Sequence, residues 1–245
     1  MSFSVKGKVA LVTGANRGIG KAIVESLIKH GASKVYLAVR KPQSTQELSQ
    51  RYADKVSTVY FDAEEPASIQ ALADSAPDVD LLINNAGVLE VAEPLAKNAV
   101  EALQYEMNIN VYGLIRMAQA FSPILEKHPE SALVQLNSVA SIKNFTPFTT
   151  YSASKAASYS VTQGLKDSLK EKGIQVLSVH PGPIMTDMAT KAGFEEGDSS
   201  EVVAEAIVEA LAKGEFHLFP DSMAKVFESE YQHFADNIIN ADLSG

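Results

Sequence analysis

The chain has 245 residues, of which 46% are hydrophobic and 21% are charged, with a formal net charge of −9. These proportions are those of a folded globular protein and exclude extended disorder, while the acidic balance argues against non-specific binding to nucleic acid. Because the chain has no cysteine, disulfides, thiolate metal sites and a cysteine nucleophile are excluded as well.

The amino-terminal sequence gives no sign of export. The first residues, MSFSVKGKVALVTG, lack an apolar segment followed by a small-residue cleavage site. No apolar run reaches the roughly 18 residues of a membrane span. We therefore expect a cytoplasmic protein that has no membrane or nucleic-acid partner.

Short apolar runs alternate along the chain with longer segments of helical periodicity. The predicted strands are 9–13, 35–39, 56–61, 80–83, 132–136, 174–179 and 216–219. The predicted helices are 19–30, 43–53, 68–75, 99–126, 151–173 and 201–213. This order predicts an α/β protein: one domain, 1–245, with a doubly wound, seven-stranded parallel sheet and helices on both faces.

The segment 188–200 has the least regular pattern, with two glycines and several charges. It follows the sixth predicted strand, so it lies where loops of α/β proteins often carry function. We expect a substrate loop near 186–200 that closes over bound substrate.

A glycine-rich turn separates the first predicted strand from the first predicted helix. Gly14, Gly18 and Gly20 are spaced as Gly-x3-Gly-x-Gly, with Arg17 and Ile19 between them. Such a turn brings backbone N–H groups and a helix N-terminus against a pyrophosphate. A strand-to-helix turn also uses glycine for steric reasons alone, but the position after the first strand favours a dinucleotide site.

The second predicted strand ends in Arg40 and Lys41, where proteins that bind NAD usually carry an acidic residue. Guanidinium groups suit a 2′-phosphate, and Arg17 adds another cation. The same pair of residues would also fit a solvated strand end. The pattern favours NADP(H).

Tyr151 and Lys155 are four residues apart and therefore share one helix face. A nearby ammonium and a helix N-terminus both favour the phenolate, so we expect them to lower the pKa of the phenol and fit it for proton transfer. Any surface helix could carry the same pair without a function.

Ser138 ends the fifth predicted strand, where ligands of open α/β sheets bind. Its hydroxyl could stabilise charge that develops on a substrate oxygen. It could equally cap a turn, as could Asn137. Asn110 lies within the long predicted helix 99–126, where by itself it would be a buried residue that bends the helix.

Five motifs together resemble the short-chain dehydrogenase/reductase family in its compact form. They are TGANRGIG at 13–20, Asn84-Asn-Ala-Gly87, Asn110, Ser138 with Tyr151-x-x-x-Lys155, and Pro181-Gly182 followed by Thr186. The resemblance spans nearly the whole chain, from Lys8 to about Phe219, and it implies a Rossmann fold with a seven-stranded sheet.

The resemblance implies a role for each matching residue. Ser138 would orient the substrate, Tyr151 would be the acid/base, Lys155 would contact both Tyr151 and the nicotinamide ribose, and Asn110 would support a water chain. The implied cofactor contacts, besides the glycine turn and Arg40, are Asp62, Asn84, Ala86, Gly87, Tyr151, Lys155, Pro181, Gly182 and Thr186. Structural roles are the alternative to these cofactor contacts: Asp62 could form a turn, and residues 84–87 could support the sheet.

Substrate identity is not encoded in any motif. Phe145, Phe148, Met185, Met188 and Phe194 would give the pocket an apolar lining that suits a hydrophobic ketone or aldehyde, with the Ser138 hydroxyl as the polar contact to the substrate. The same apolar residues could instead belong to the core or to a subunit contact.

We therefore predict an enzyme: an NADPH-dependent oxidoreductase, of carbonyl reductase or alcohol dehydrogenase type, that moves a hydride between nicotinamide and a ketone or aldehyde and its alcohol. A non-catalytic NADPH sensor of the same fold is the alternative, although it would be expected to have lost Tyr151 or Lys155. An epimerase would need a longer C-terminal region, and Ser138 lacks a hydrolase nucleophile elbow.

Two further expectations concern metals and assembly. The five histidines show no ligand spacing, so no metal site is expected. The two long predicted helices resemble those that pair across a two-fold axis in this family, so a homodimer or homotetramer is expected.

Overall fold

The structure, a computed structural model, describes residues 2–241. The strands are β1 (Val9–Thr13), β2 (Lys34–Val39), β3 (Val56–Tyr60), β4 (Leu81–Asn84), β5 (Ser131–Leu136), β6 (Ile174–Val179) and β7 (His217–Leu218). The helices are α1 (Gly18–Lys29), α2 (Gln46–Tyr52), α3 (Pro66–Ser75), α4 (Ala99–Glu106), α5 (Gly113–Leu125), α6 (Thr149–Lys170), α7 (Asp187–Lys191), α8 (Ser200–Lys213) and α9 (Ser222–Phe234).

All strands join one parallel sheet in the order β3-β2-β1-β4-β5-β6-β7. The predicted Rossmann fold is confirmed. The order reverses between β1 and β4, and ligands of such sheets bind beyond the carboxyl ends of the strands at this point. The central strands β5 and β6 are buried along their whole length, because helices cover both faces of a parallel sheet.

Two apolar clusters fill the space between sheet and helices. On one face, Ile23 and Leu27 of α1 pack with Val203 and Ile207 of α8. On the other face, the core includes Leu72 of α3 together with Met117 and Phe121 of α5. Burial of such side chains contributes roughly 1.5–3 kcal/mol each.

The long helix predicted over 99–126 is not uniform. Its middle, Met107–Tyr112, is a π-helical segment that joins α4 to α5. Wide turns of this kind are rare and often occur near functional sites. Here the segment contains Asn110. Its buried side chain forms hydrogen bonds through both its oxygen and its nitrogen, as described below.

Two other predictions need correction. The segment 188–200 is not wholly irregular, because α7 occupies its first part and a bridge joins Ile184 to Asp198. The C-terminal region, for which no helix was predicted, forms α9. The side chain of Asp221 caps this helix by accepting a hydrogen bond from the Ala224 N–H at 3.0 Å.

Within residues 2–241, none of the helices has both the length and the apolarity that crossing a bilayer requires.

Candidate active site

A cavity of about 850 Å³ lies at the carboxyl ends of the central strands. It is lined by nearly all the residues that the sequence singled out: Gly14, Arg17, Gly18, Ile19, Gly20, Arg40, Asp62, Ala86, Gly87, Ser138, Phe145, Phe148, Tyr151, Lys155, Pro181, Gly182, Met185, Thr186 and Met188. The fold therefore brings together side chains that are up to 174 positions apart, counted from Gly14 to Met188.

The glycine turn at one end of the cavity depends on the absence of side chains. Gly14 and Gly18 have φ values of +67° and +51°, which favour glycine. A Cβ on Gly20 would lie 2.2 Å from the carbonyl oxygen of Gly14. The turn thus keeps its backbone open at the start of α1, where backbone N–H groups can hold a phosphate.

The end of β2 is cationic. Arg40 and Lys41 line the cavity with exposed side chains, together with Ser44. Arg17, also exposed, contacts the carboxylate of Asp187 on α7. The open glycine turn beside these donors fits the phosphate groups of a dinucleotide.

Threonine 13 ties the glycine turn to the end of β4. The Thr13 hydroxyl accepts hydrogen bonds from the backbone N–H groups of Asn85 and Ala86, each at 3.0 Å. The Asn85 side-chain amide donates back to the Thr13 carbonyl at 2.9 Å. The two neighbouring strand ends therefore form one rigid floor beneath the cavity.

The central part of the cavity holds Ser138, Tyr151 and Lys155. Ser138 lies two residues after the end of β5 in extended conformation, with φ −170° and ψ 161°. Tyr151 and Lys155 lie one helical turn apart at the start of α6. The Lys155 ammonium, which is buried, donates to the Leu136 carbonyl at 2.7 Å.

The electrostatics of this group differ from the sequence expectation. Burial raises the pKa of Tyr151 to about 12, and the Ser138 hydroxyl acts weakly in the opposite direction. Burial also lowers the pKa of Lys155 to about 8. The expected lowering of the Tyr151 pKa by Lys155 is not found, because desolvation dominates and the ammonium is directed to Leu136.

Two predicted site residues do not line the cavity. Asn110 is buried, and its side-chain oxygen accepts from the Val88 N–H at 3.0 Å. Its amide nitrogen donates to the Val88 carbonyl at 3.0 Å and to the Ser154 hydroxyl at 2.9 Å. Asn110 therefore cross-links the segment after β4 to α6, and its support of a water chain stays a prediction.

Asn84 faces away from the large cavity towards a small void near Asn110 and Gln135. Both polar atoms of the Asn84 side chain lack a hydrogen-bond partner among the described residues. Asn85, and not Asn84, lines the large cavity, so the cofactor contact that the resemblance implied for Asn84 is not supported by its position. Side chains alternate along an extended segment, so adjacent asparagines face opposite ways.

The turn after β6 is held from the C-terminal region. The Asp221 carboxylate, which is buried, accepts from the Gly182 N–H at 2.7 Å. A Cβ on Gly182 would lie 2.7 Å from that carboxylate. The Asp221 cap thus fixes Pro181–Gly182 as well as α9.

The other end of the cavity is apolar. Its lining includes Phe145, Phe148, Met185, Met188, Leu89, Phe194 and Met223. The rings of Phe148 and Phe194 lie 5.8 Å apart, and Phe145 packs against Phe227 of α9 at 6.5 Å. A ligand group in this region would meet rings, thioethers and aliphatic carbon.

The α7 segment is attached to both sides of the cavity. Asp187 contacts Arg17 on the glycine turn. Lys191 donates to the Leu89 carbonyl at 3.1 Å and pairs with the Glu90 carboxylate at 2.9 Å. These pairs are exposed, so each contributes at most about 1 kcal/mol.

Sequence reasoning missed several residues of the site: Asn16, Ser44, Asn85, Asp187 and Met223 line the cavity, and Asp221 supports it. Asn85 lies inside a quoted motif, and Asp221 has the form of a helix cap before an amphipathic segment, which was a usable signal. Among the described residues, no group of three or more metal-binding side chains lies close together.

Comparisons with known proteins fit this geometry. The sequence profile of the short chain dehydrogenase family matches residues 8–197. An uncharacterized oxidoreductase of Staphylococcus epidermidis is 32% identical over 215 residues, which cover 85% of this chain and 93% of that protein.

Solved structures agree with the sequence comparison. A short chain dehydrogenase from Burkholderia cenocepacia in complex with NADP has a TM-score of 0.87 at 30% identity, covering 96% of this chain and 98% of that one. A short chain dehydrogenase/reductase from Burkholderia phymatum in complex with NAD shares the fold, with a TM-score of 0.83 at 24% identity and coverage of 99% and 98%.

The chain belongs to the short chain dehydrogenase family. It is an oxidoreductase. Its family binds a nicotinamide cofactor, and its fold implies a small-molecule substrate.

Proposed function

We propose that the protein is an NADPH-dependent carbonyl reductase that interconverts neutral, apolar ketones or aldehydes and their alcohols. The observation that carries this proposal is the joint placement of Ser138, Tyr151 and Lys155 in one cavity, between a cationic nucleotide end and an apolar end. The whole chain would act as one nucleotide-binding domain, with a substrate loop near 186–200.

Bound NADPH supplies the hydride. Tyr151 donates a proton to the substrate oxygen, and the pKa of about 12 keeps this phenol protonated at neutral pH. The Ser138 hydroxyl holds the same oxygen and stabilises the negative charge that grows on it. The buried Lys155 ammonium, whose Nζ lies 5.8 Å from the centre of the Tyr151 ring, would stabilise the negative charge that appears on the phenol as its proton leaves, although burial outweighs this effect in the resting pKa of Tyr151. The same ammonium would contact the cofactor ribose.

The preference for NADPH over NADH rests on charge. Arg40 and Lys41 supply cations at the end of β2, where NAD-binding proteins usually carry an acidic residue. Arg17 adds a guanidinium on the glycine turn, where it is paired with Asp187. The relative from Burkholderia cenocepacia, which is 30% identical, was solved with NADP.

Wild-type protein is expected to bind NADPH more tightly than NADH, and Arg40→Asp is expected to narrow or reverse this preference. The substitution removes a guanidinium and adds a charge that repels the 2′-phosphate, so NADPH affinity should fall by about 10–100-fold, the scale of hydrogen bonds to charged groups. Fluorescence titration with both dinucleotides measures this. Lys127→Asp, an equal charge change at an exposed position, is the control and should change nothing. Tighter binding of NADH by the wild type would refute the preference.

The substrate class follows from the apolar end of the cavity. The side chains that the apolar end contributes to the cavity lining are uncharged, and the neighbouring Asp187 is paired with Arg17. A charged substrate group would lose its hydration there without a partner, which is costly. Bulky aliphatic or aromatic carbonyl compounds fit this lining.

Carbonyl reduction is expected to be fastest below about pH 8 and to decline above it. The pKa of Lys155 is lowered to about 8, so its ammonium is lost as the pH rises through that value. The phenol of Tyr151 stays protonated over this range. Oxidation of the alcohol needs Tyr151 to accept a proton and should therefore rise with pH. A profile of kcat/KM in each direction measures this, and a reduction rate that climbs between about pH 8 and pH 10 would contradict it.

We also propose a homodimer or homotetramer built on α5 and α6. The outward side of α6 carries Ala153, Ala156 and Ser160, whose small exposed side chains allow close helix packing. Sedimentation at micromolar concentration is expected to show a dimer or tetramer, and Ala156→Glu should shift it towards monomer because it buries a charge. A wild-type protein that sediments only as monomer would exclude this assembly.

A non-catalytic NADPH sensor is the second candidate. The cationic nucleotide end of the cavity would serve such a sensor equally well. The presence of Ser138, Tyr151 and Lys155 in the cavity favours the enzyme. The cytoplasmic location stays a prediction.

A further inference from the structure

His180 is the centre of a polar network behind the active site. The residue is fully buried and immediately precedes Pro181. Its Nδ1 atom lies 3.0 Å from the Ser141 hydroxyl and 3.3 Å from the Ser138 carbonyl. Its Nε2 atom lies 2.8 Å from the Ser178 hydroxyl. The proposed chemistry uses none of the side chains of His180, Ser141 and Ser178.

The neighbouring atoms determine where the imidazole carries its proton. The Ser141 hydroxyl donates to the Ser138 carbonyl, so the Ser141 oxygen has to accept from Nδ1–H. A bare Nδ1 would also face the carbonyl oxygen of Ser138, and two acceptors repel each other. Nδ1 therefore carries the proton.

The Nε2 atom of the His180 ring completes the series of hydrogen bonds. Burial lowers the pKa of His180 to about 3, so the ring is neutral and Nε2 is an acceptor. The Ser178 hydroxyl donates to Nε2, and the Asn137 amide donates to Ser178 at 2.9 Å. Hydrogen bonds thus run in one direction from Asn137, through Ser178, His180 and Ser141, to the Ser138 carbonyl.

Aromatic packing immobilises the imidazole. Its ring stacks on Phe219, with centroids 5.0 Å apart and planes 19° apart. The edge of Tyr159 meets it at 4.7 Å and 88°. A ring held on both sides is a fixed support for the groups that it bonds.

The chain of hydrogen bonds ends at Ser138, whose proposed role depends on the direction of its hydroxyl group. The Ser138 oxygen accepts from the Ala140 N–H at 3.1 Å, and the Ser138 hydroxyl makes a long contact to the Pro181 carbonyl at 3.3 Å while also facing the Tyr151 phenol. That long contact leaves the hydroxyl proton available for a substrate oxygen. A shift of the Ser138 backbone would move this hydroxyl. Even a small displacement of a hydrogen-bond donor that stabilises the transition state lowers the reaction rate.

We propose that His180 and Ser141 are positioning residues that act through Ser138, holding its carbonyl so that its hydroxyl stays aimed at the substrate oxygen. This inference rests on the proposed function. It gives the C-terminal region a role in catalysis, because Phe219 supports the imidazole.

The kinetic test compares Ser141→Ala in two backgrounds. In the wild type it should lower kcat by about tenfold, leave NADPH affinity unchanged and barely alter the melting temperature. In a Ser138→Ala background it should have no further effect on kcat, because the hydroxyl that it positions is gone. Ser26→Ala, which removes another buried serine hydroxyl, is the control and should leave kcat unchanged.

Nitrogen-15 NMR tests the network without any turnover. The His180 signals, assigned by their loss in His180→Phe, should be those of a neutral ring protonated at Nδ1 that does not titrate between about pH 5 and pH 8. An Nε2-protonated ring, or equal kcat losses from Ser141→Ala in both backgrounds, would overturn this inference while leaving the proposed function intact. A wild-type protein that reduces no carbonyl compound would overturn the proposed function, and the positioning role with it.

Discussion

Replacing Tyr151 with phenylalanine is expected to lower kcat for carbonyl reduction at least about 100-fold, the usual scale for a positioned acid. The substitution removes the proton donor while keeping the ring, so the shape of the cavity hardly changes. NADPH affinity should stay within about twofold, because the loss concerns the transition state and not ground-state binding. Steady-state kinetics with a saturating cofactor and a fluorescence titration measure the two quantities.

Tyr105→Phe is a suitable control for this experiment. Tyr105 lies in α4 and is half-buried, but it is not part of the cavity lining. Its substitution should leave kcat unchanged. If Tyr151→Phe keeps most of the reductase activity, Tyr151 is not the acid.

Lys155→Met is expected to damage both turnover and cofactor binding. The ammonium is buried and already donates to the Leu136 carbonyl at 2.7 Å. Removing it takes away the positive charge near Tyr151 and the proposed contact to the ribose. We expect kcat to fall about 100-fold or more, and NADPH affinity to fall about tenfold, as for loss of one charge-assisted hydrogen bond.

The contrast between these two variants is diagnostic. Only Lys155→Met should weaken NADPH binding by about tenfold, because the ammonium is proposed as a charged contact to the ribose, whereas Tyr151 would touch the cofactor through a neutral hydroxyl. Lys166→Met, a substitution of a lysine farther along α6 whose side chain bonds to Asn240, is the matched control. Unchanged NADPH affinity in Lys155→Met would remove the proposed ribose contact.

The fold could be predicted because each strand is a short apolar run and each helix has its own period. The strand predicted at 174–179 coincides with β6, because most of its residues are apolar, as is typical of a parallel strand that is covered on both faces. Asn84 shows the limit of this approach. A motif names two adjacent asparagines, and only the backbone orientation decides that Asn85 meets the cavity while Asn84 faces away from it.

The electrostatics of the site could not be predicted from spacing. Tyr151 and Lys155 lie on one helix face, as expected, yet desolvation by the surrounding protein sets the direction of both pKa values. The stretch that begins at Phe219 could be expected to cover the pocket or a neighbouring subunit, but not its specific contacts, because Asp221 meets Gly182 and Phe219 meets His180 only after the chain has folded.

Transfer of deuterium from nicotinamide-labelled NADPH to a carbonyl substrate tests the central claim most directly. The protein would be incubated with labelled NADPH and a panel of neutral aliphatic and aromatic ketones and aldehydes, with labelled NADH in parallel. We predict an alcohol that carries deuterium on the former carbonyl carbon, formed faster with NADPH than with NADH and lost in Tyr151→Phe. Tight NADPH binding without label in any alcohol would contradict the account and favour the sensor.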